Sequence, residues 1–137
     1  MIVSLDGQMI YVASSSAVVA VEASNLTLIG TVPLAVSSNA AVSTDSSTLY
    51  VTAGEYPNMT VAVIDTATRE VAESVPVSEV SVVFGLAISL DGSQLYLSDQ
   101  ADFQGADIFT FDLATQALMG VSAVVNGGIA VSPAETQ

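Results

Sequence analysis

Apolar residues along this chain come in short runs, each closed by a cluster of turn-forming residues. Met9-Ile10-Tyr11-Val12, Val18-Val19-Ala20-Val21, Leu49-Tyr50-Val51, Val61-Ala62-Val63-Ile64, Leu95-Tyr96-Leu97 and Ile108-Phe109-Thr110-Phe111 are of this kind. They are rich in β-branched and aromatic side chains and none keeps a sustained helical period, so they predict strands. Asp6-Gly7 and Asp91-Gly92 fall between runs, where a tight hairpin turn needs residues that tolerate positive φ.

The runs repeat. Leu5-Asp6-Gly7-Gln8-Met9-Ile10-Tyr11-Val12 aligns with Thr44-Asp45-Ser46-Ser47-Thr48-Leu49-Tyr50-Val51 and with Leu90-Asp91-Gly92-Ser93-Gln94-Leu95-Tyr96-Leu97, the tyrosines standing 39 and 46 residues apart. A second set follows each, ending at Glu22, Asp65 or Asp112. A third precedes each Asp turn: Ala40-Ala41-Val42-Ser43, Leu86-Ala87-Ile88-Ser89, and finally Ile129-Ala130-Val131-Ser132. Units of about 40–45 residues with four short strands are the mark of propeller blades. A β-sandwich would not need the same Tyr and Asp in each unit, and β-helix coils are shorter. The expected fold is all-β, with blades of four antiparallel strands at about 1–37, 38–83 and 84–126, and a further blade beginning at 127–137.

At these residues the chain resembles the YVTN family of β-propeller repeats, whose unit runs approximately S-P-D-G, L-Y-V, V-x-V-I-D-x-x-T and an I-P-V segment. The matching residues are Ser89-Leu90-Asp91-Gly92, Leu49-Tyr50-Val51-Thr52, Val61-Ala62-Val63-Ile64-Asp65-Thr66-Ala67-Thr68, Val32-Pro33-Leu34 and Val75-Pro76-Val77. The third unit lacks the Pro segment after Met119, which predicts a weaker outer strand there. The resemblance implies inner strands near 1–4, 38–43, 84–89 and 127–132, and outer strands near 26–32, 70–76 and 117–123. It also implies a location outside the cell or at its surface, although no signal peptide is visible in this chain. Three blades do not close a ring, since closed propellers have about 4–8. The chain is therefore expected to be part of a longer propeller or to self-associate, a homodimer of six blades being the simplest closed form, with filament-like assembly as a variant.

Composition narrows the chemistry. Among 137 residues there are 14 acidic side chains, one Arg, and no Lys, His or Cys, for a formal charge of −13. No basic stripe is present to supply the electrostatic term that dominates nucleic-acid affinity, so no nucleic-acid partner is expected. Zinc, iron–sulfur and His-held haem sites, and Ser-His or Cys-His catalytic units, lack their residues. The related propellers that are enzymes include lactone hydrolases and haem- or copper-bearing reductases; without their His, the chain is expected to be non-enzymatic, or an inactive piece of such an enzyme. The uncharged stretches 23–44 and 113–134 are interrupted by Asn, Ser, Gly and Pro. A spanning helix needs about 20 mostly apolar residues, so no membrane insertion is expected.

Few residues remain as candidates for a site. Asp99, Asp102 and Asp107 fall in a connection predicted over 98–107, where clustered oxygen ligands suit calcium; a solvated acidic loop is the competing reading. No other cofactor is expected. Tyr56 and Phe103 occupy matching loop positions and are candidates for contacting a carbohydrate or protein partner, or for anchoring their loops. Asn25 and Asn58 begin N-x-[ST] glycosylation acceptors. Tyr11, Tyr50 and Tyr96 suit packing between blades better than a ring of ligand-stacking aromatics. Glu22, Asp65 and Asp112 suit turns. Arg69 adjoins Glu70 and Glu73 and is expected to pair with them at the surface.

Overall fold

The computed structural model describes residues 1–34, 36–55, 57–77, 80, 83–102 and 105–124. Within them twelve strands follow one another: β1 (Ile2–Val3), β2 (Met9–Ala13), β3 (Ala17–Glu22), β4 (Thr27–Pro33), β5 (Val36–Val42), β6 (Thr48–Ala53), β7 (Thr60–Asp65), β8 (Glu70–Pro76), β9 (Val83–Ile88), β10 (Gln94–Asp102), β11 (Gly105–Asp112) and β12 (Ala117–Val124). They form three four-stranded antiparallel meanders, β1–β4, β5–β8 and β9–β12, hereafter blades 1, 2 and 3. The blades meet along their inner strands, β1 beside β5 and β5 beside β9.

Register carries the repeat into three dimensions. Tyr11 lies opposite Ile2 and Ala20, Tyr50 opposite Ala41 and Val63, and Tyr96 opposite Ala87 and Thr110. Because side chains alternate across a strand, each blade has a tyrosine face and an opposite aliphatic face. The tyrosine face of blade 1, with Tyr11, Val18, Ala20 and Val32, packs on Leu49, Val51 and Ile64 of blade 2. One step on, Tyr50, Val61 and Val75 of blade 2 pack with Leu95, Leu97, Phe109 and Phe111 of blade 3. Two inter-blade cores thus hold the described molecule together, and each has the same sidedness.

The outer strands carry a second repeated device. Pairing slips by one residue between Ala20 and Val21, between Val63 and Ile64, and between Thr110 and Phe111. Ile29, Ala72 and Met119 are each passed over in their ladders. Bulges of this kind bend and twist a strand, and here they recur at one position per blade.

One expectation from the sequence is corrected. The region 98–107 is not mainly a loop: β10 runs to Asp102 and β11 starts at Gly105, with Asp99 opposite Asp107 and Asp102 opposite Gly105. Backbone pairing persists here although the side chains lack strand character, because ladder hydrogen bonds are indifferent to side-chain polarity. The outer strand of blade 3, β12, spans Ala117–Val124. The fourth inner segment and the turn after it, 127–135, lie outside the described residues. No helix among the described residues is long and apolar enough to cross a membrane.

Candidate functional site

One end of every blade is closed by a polar turn built on the same grammar. Ser43 Oγ and Ser47 Oγ both donate to Asp45 Oδ1, at 2.7 and 2.6 Å, and the Ser47 amide donates to the same oxygen at 2.9 Å. Ser89, Ser93 and the Ser93 amide treat Asp91 identically. In blade 1, Ser4 and the Gln8 amide hold Asp6. The first serine also accepts from the amide that opens the next strand, at Met9, Thr48 and Gln94. Hydrogen bonds to the ionised form favour it. The Ser47 and Ser43 hydroxyls accordingly lower the Asp45 carboxyl to about 2, and the Ser93 and Ser89 hydroxyls do the same for Asp91. Asp6 is lowered chiefly by Ser4. These aspartates are turn builders.

The adjacent turn follows suit. Asp65 Oδ1 accepts from the Ala67 and Thr68 amides, and Asp112 Oδ1 from the Ala114 amide. Glu22 is one methylene too long for that role, and Asn25 Oδ1 accepts from the Thr27 amide instead. Asn25 and Asn58 are both exposed, at turns. A pocket of about 390 Å³ lies against this end of blade 1, lined by Gly7, Gln8, Glu22, Ala23 and Ser24.

At the opposite end, Asp99 is 2% exposed and faces the half-buried Asp107 across the β10–β11 ladder. Nothing is described of the Asp102 side chain, and Tyr56 and Phe103 lie outside the described residues. Among the described residues no group of three or more His, Cys, Asp or Glu side chains is placed to hold a metal ion.

Arg69 departs from expectation: no ion pair joins it to Glu70 or Glu73. Its side chain instead crosses to blade 1 and lies over Gly30, where an added Cβ would collide with it. Gln116, at the same repeat position in blade 3, reaches back to Glu73 of blade 2, Nε2 donating to Oε1 at 3.3 Å. Further bridges join the turns: the Leu5 amide donates to Ser46 Oγ at 3.0 Å, and Thr44 Oγ1 donates to the Leu90 carbonyl at 3.2 Å. Asn39 Nδ2 donates to the Val83 carbonyl at 3.0 Å, tying β5 to β9.

The blade faces are the least symmetric feature. Tyr11 and Tyr50 are each 6% exposed beneath the following blade, while Tyr96 is only half-buried. Burial raises the phenol pKa of both Tyr11 and Tyr50. The Tyr96 hydroxyl donates to Gln94 Oε1 of its own strand at 2.7 Å. On the aliphatic side, Leu49, Val51, Ala62 and Ile64 of blade 2 are at most 2% exposed, whereas at the matching positions of blade 1 Ile10, Val19 and Val21 are half-buried and Val12 is 38% exposed. Val3, beside them, is 45% exposed. This apolar face of blade 1 is thus more open than its counterpart in blade 2. Sequence reasoning placed the tyrosines between blades but missed this face, because its residues are indistinguishable from those that the neighbouring blades bury.

No protein-family model matches the chain, and no curated protein sequence matches it. Solved structures do. The chain is similar to Kuenenia stuttgartiensis hydrazine synthase, with a TM-score of 0.73 and 22% identity over 90% of this chain and 36% of that one. It is similar also to U3-55K, at 0.71 and 15% identity, covering 94% of this chain and 41% of that one. The WD40 repeats of RRP9 superpose at 0.69 with 14% identity, covering 94% and 40% of the two chains. The chain therefore spans well under half the length of each, and the likeness is one of fold. With three four-stranded antiparallel sheets and these neighbours, the protein has a β-propeller-type fold.

Proposed function

We propose that this chain is a non-enzymatic protein-interaction module of YVTN-like blades that self-associates and works outside the cell or at its surface. The observation that supports it best is the uncovered aliphatic face of blade 1, whose counterparts in blades 2 and 3 are buried. No His, Lys or Cys stands in the sequence to serve as base, nucleophile or soft metal ligand. The Ser-Asp turns engage their carboxylates in structural hydrogen bonds, which favours a scaffolding use for the repeated acids. The test is the mass in solution. A multiple of 13.9 kDa that persists on dilution supports self-association; a monomer at every concentration overturns it.

A second reading, carbohydrate or ligand binding assisted by calcium, draws on the Asp99–Asp107 pairing. Thermal melts with calcium and with a glycan panel test it, and an unmoved transition counts against it.

A further inference from the structure

Resting on that self-association, we infer that two copies of the chain pair along β12, the outer strand of blade 3, edge to edge and antiparallel. This surface is separate from the aliphatic face of blade 1, since the contact is made by backbone at the rim of the molecule. β12 pairs with β11 on one side, and among the described residues no strand pairs with its other side. A strand edge offers unpaired N–H and C=O groups that template a further strand. Extended segments add to sheets in this way.

The three outer strands guard their edges differently. Natural edges are blunted by charge, by Pro and by bulges, and propellers normally leave only short, protected ones. β8 carries Glu70 and Glu73 and ends at Pro76. β4 ends at Pro33, which has no N–H to donate. β12 runs Ala-Leu-Met-Gly-Val-Ser-Ala-Val, with neither charge nor Pro. Its bulge at Met119 has a counterpart in each of the other blades and does not set it apart. Residues 117–121 are all exposed, Met119 by 56% and Val121 by 49%. The unguarded edge is therefore open along most of its length.

Charge selects the occupant. The chain bears a formal charge of −13, and like charges set opposite each other across a strand pair are destabilising. A second copy's β8 would bring two glutamates to the ladder and its β4 a proline, whereas its β12 brings neither. The sequence has no charged residue from Leu113 to Ala134, so two acidic bodies meet here at low electrostatic cost. Pairing β12 with itself is isologous, one patch meeting its own copy about a two-fold axis, and it closes at a dimer. An axis through the sheet keeps like faces on one side. Leu118 and Val121, opposite Phe111 and Phe109 in the ladder, then meet their counterparts and extend the blade 2–blade 3 core past the rim.

The absence of native cysteine allows a direct test with the full chain. Single variants Leu118→Cys, Met119→Cys, Gly120→Cys and Val121→Cys are made, with Val71→Cys on the β8 edge as control. Only a residue at the two-fold axis meets its own copy within disulfide reach. One or two of the four are therefore expected to give a disulfide-linked dimer on a non-reducing gel, and the control none. Val121→Lys, at an exposed site, is expected to abolish the dimer measured by light scattering while leaving the circular dichroism spectrum unchanged. Because Lys lowers the net charge, that loss cannot come from added repulsion. A wild-type dimer that survives Val121→Lys, or cross-linking that is absent or independent of position, overturns the edge contact and leaves self-association standing. A wild-type monomer at every concentration overturns both.

Discussion

At the scale of single residues, backbone conformation and carboxylate hydrogen bonding are the terms most open to measurement. Gly92 has φ +74° with nothing within 4 Å of an added Cβ. Gly92→Ala should therefore cost the left-handed conformational penalty alone, about 1 kcal/mol, read as a drop in urea midpoint. Gly54 has φ +80° and the Asn58 carbonyl 2.9 Å from such a Cβ. Gly54→Ala should cost more, about 2–3 kcal/mol once this clash is added to the strain. The aspartates predict a pH response. Asp45 and Asp91 titrate at about 2 when folded, below the ordinary 3.8. Their contribution is complete above the ordinary value and is lost as pH falls from there through about 2. The melting temperature should decline over that window, and Asp45→Asn should flatten the decline; an unchanged slope would remove the Ser-Asp turns as its source.

At the scale of elements, the same apolar residue types have very different weights depending on what covers them. Leu97 in β10 is fully buried between blades 2 and 3, while Met119 at the β12 bulge is 56% exposed. Leu97→Ala should destabilise by about 2–5 kcal/mol through lost transfer energy and a residual cavity. Met119→Ala should stay within about 0.5 kcal/mol, as an exposed site does. Equal costs from denaturant titration would mean that the inter-blade core is not where the stability lies. Strand existence and turn position were readable at this scale, since β-branched runs and Asp-Gly signals are local. The β10–β11 extension was not, because Asp99 and Asp102 have poor strand character and are held in place by pairing with Asp107 and Gly105. Asp99 shows the consequence: expected in a solvated loop, it is buried on a face that a neighbouring blade covers.

For the whole molecule, charge and open faces act against each other. A formal charge of −13 with a single base gives a self-repelling body, and bringing two copies together doubles that load. Salt should therefore both raise the melting temperature and strengthen the assembly as the Debye length shrinks, from about 30 Å at 0.01 M to about 8 Å at 0.15 M. Scanning calorimetry and light scattering across that range would show it, and indifference to salt would mean that the acids are too dispersed to repel.

The sequence by itself determined the repeat, the strands, the turns and the tyrosine that marks each blade. All of these follow from forces acting within a few residues: strand propensity, positive φ at Asp-Gly, and side-chain caps on neighbouring amides. Only the tertiary structure decided which face of each blade is covered, where the outer strands bulge, and that Arg69 crosses to Gly30 rather than pairing with its neighbours. Burial depends on which blade lies alongside. Two faces with the same residue pattern become core in one place and open surface in another.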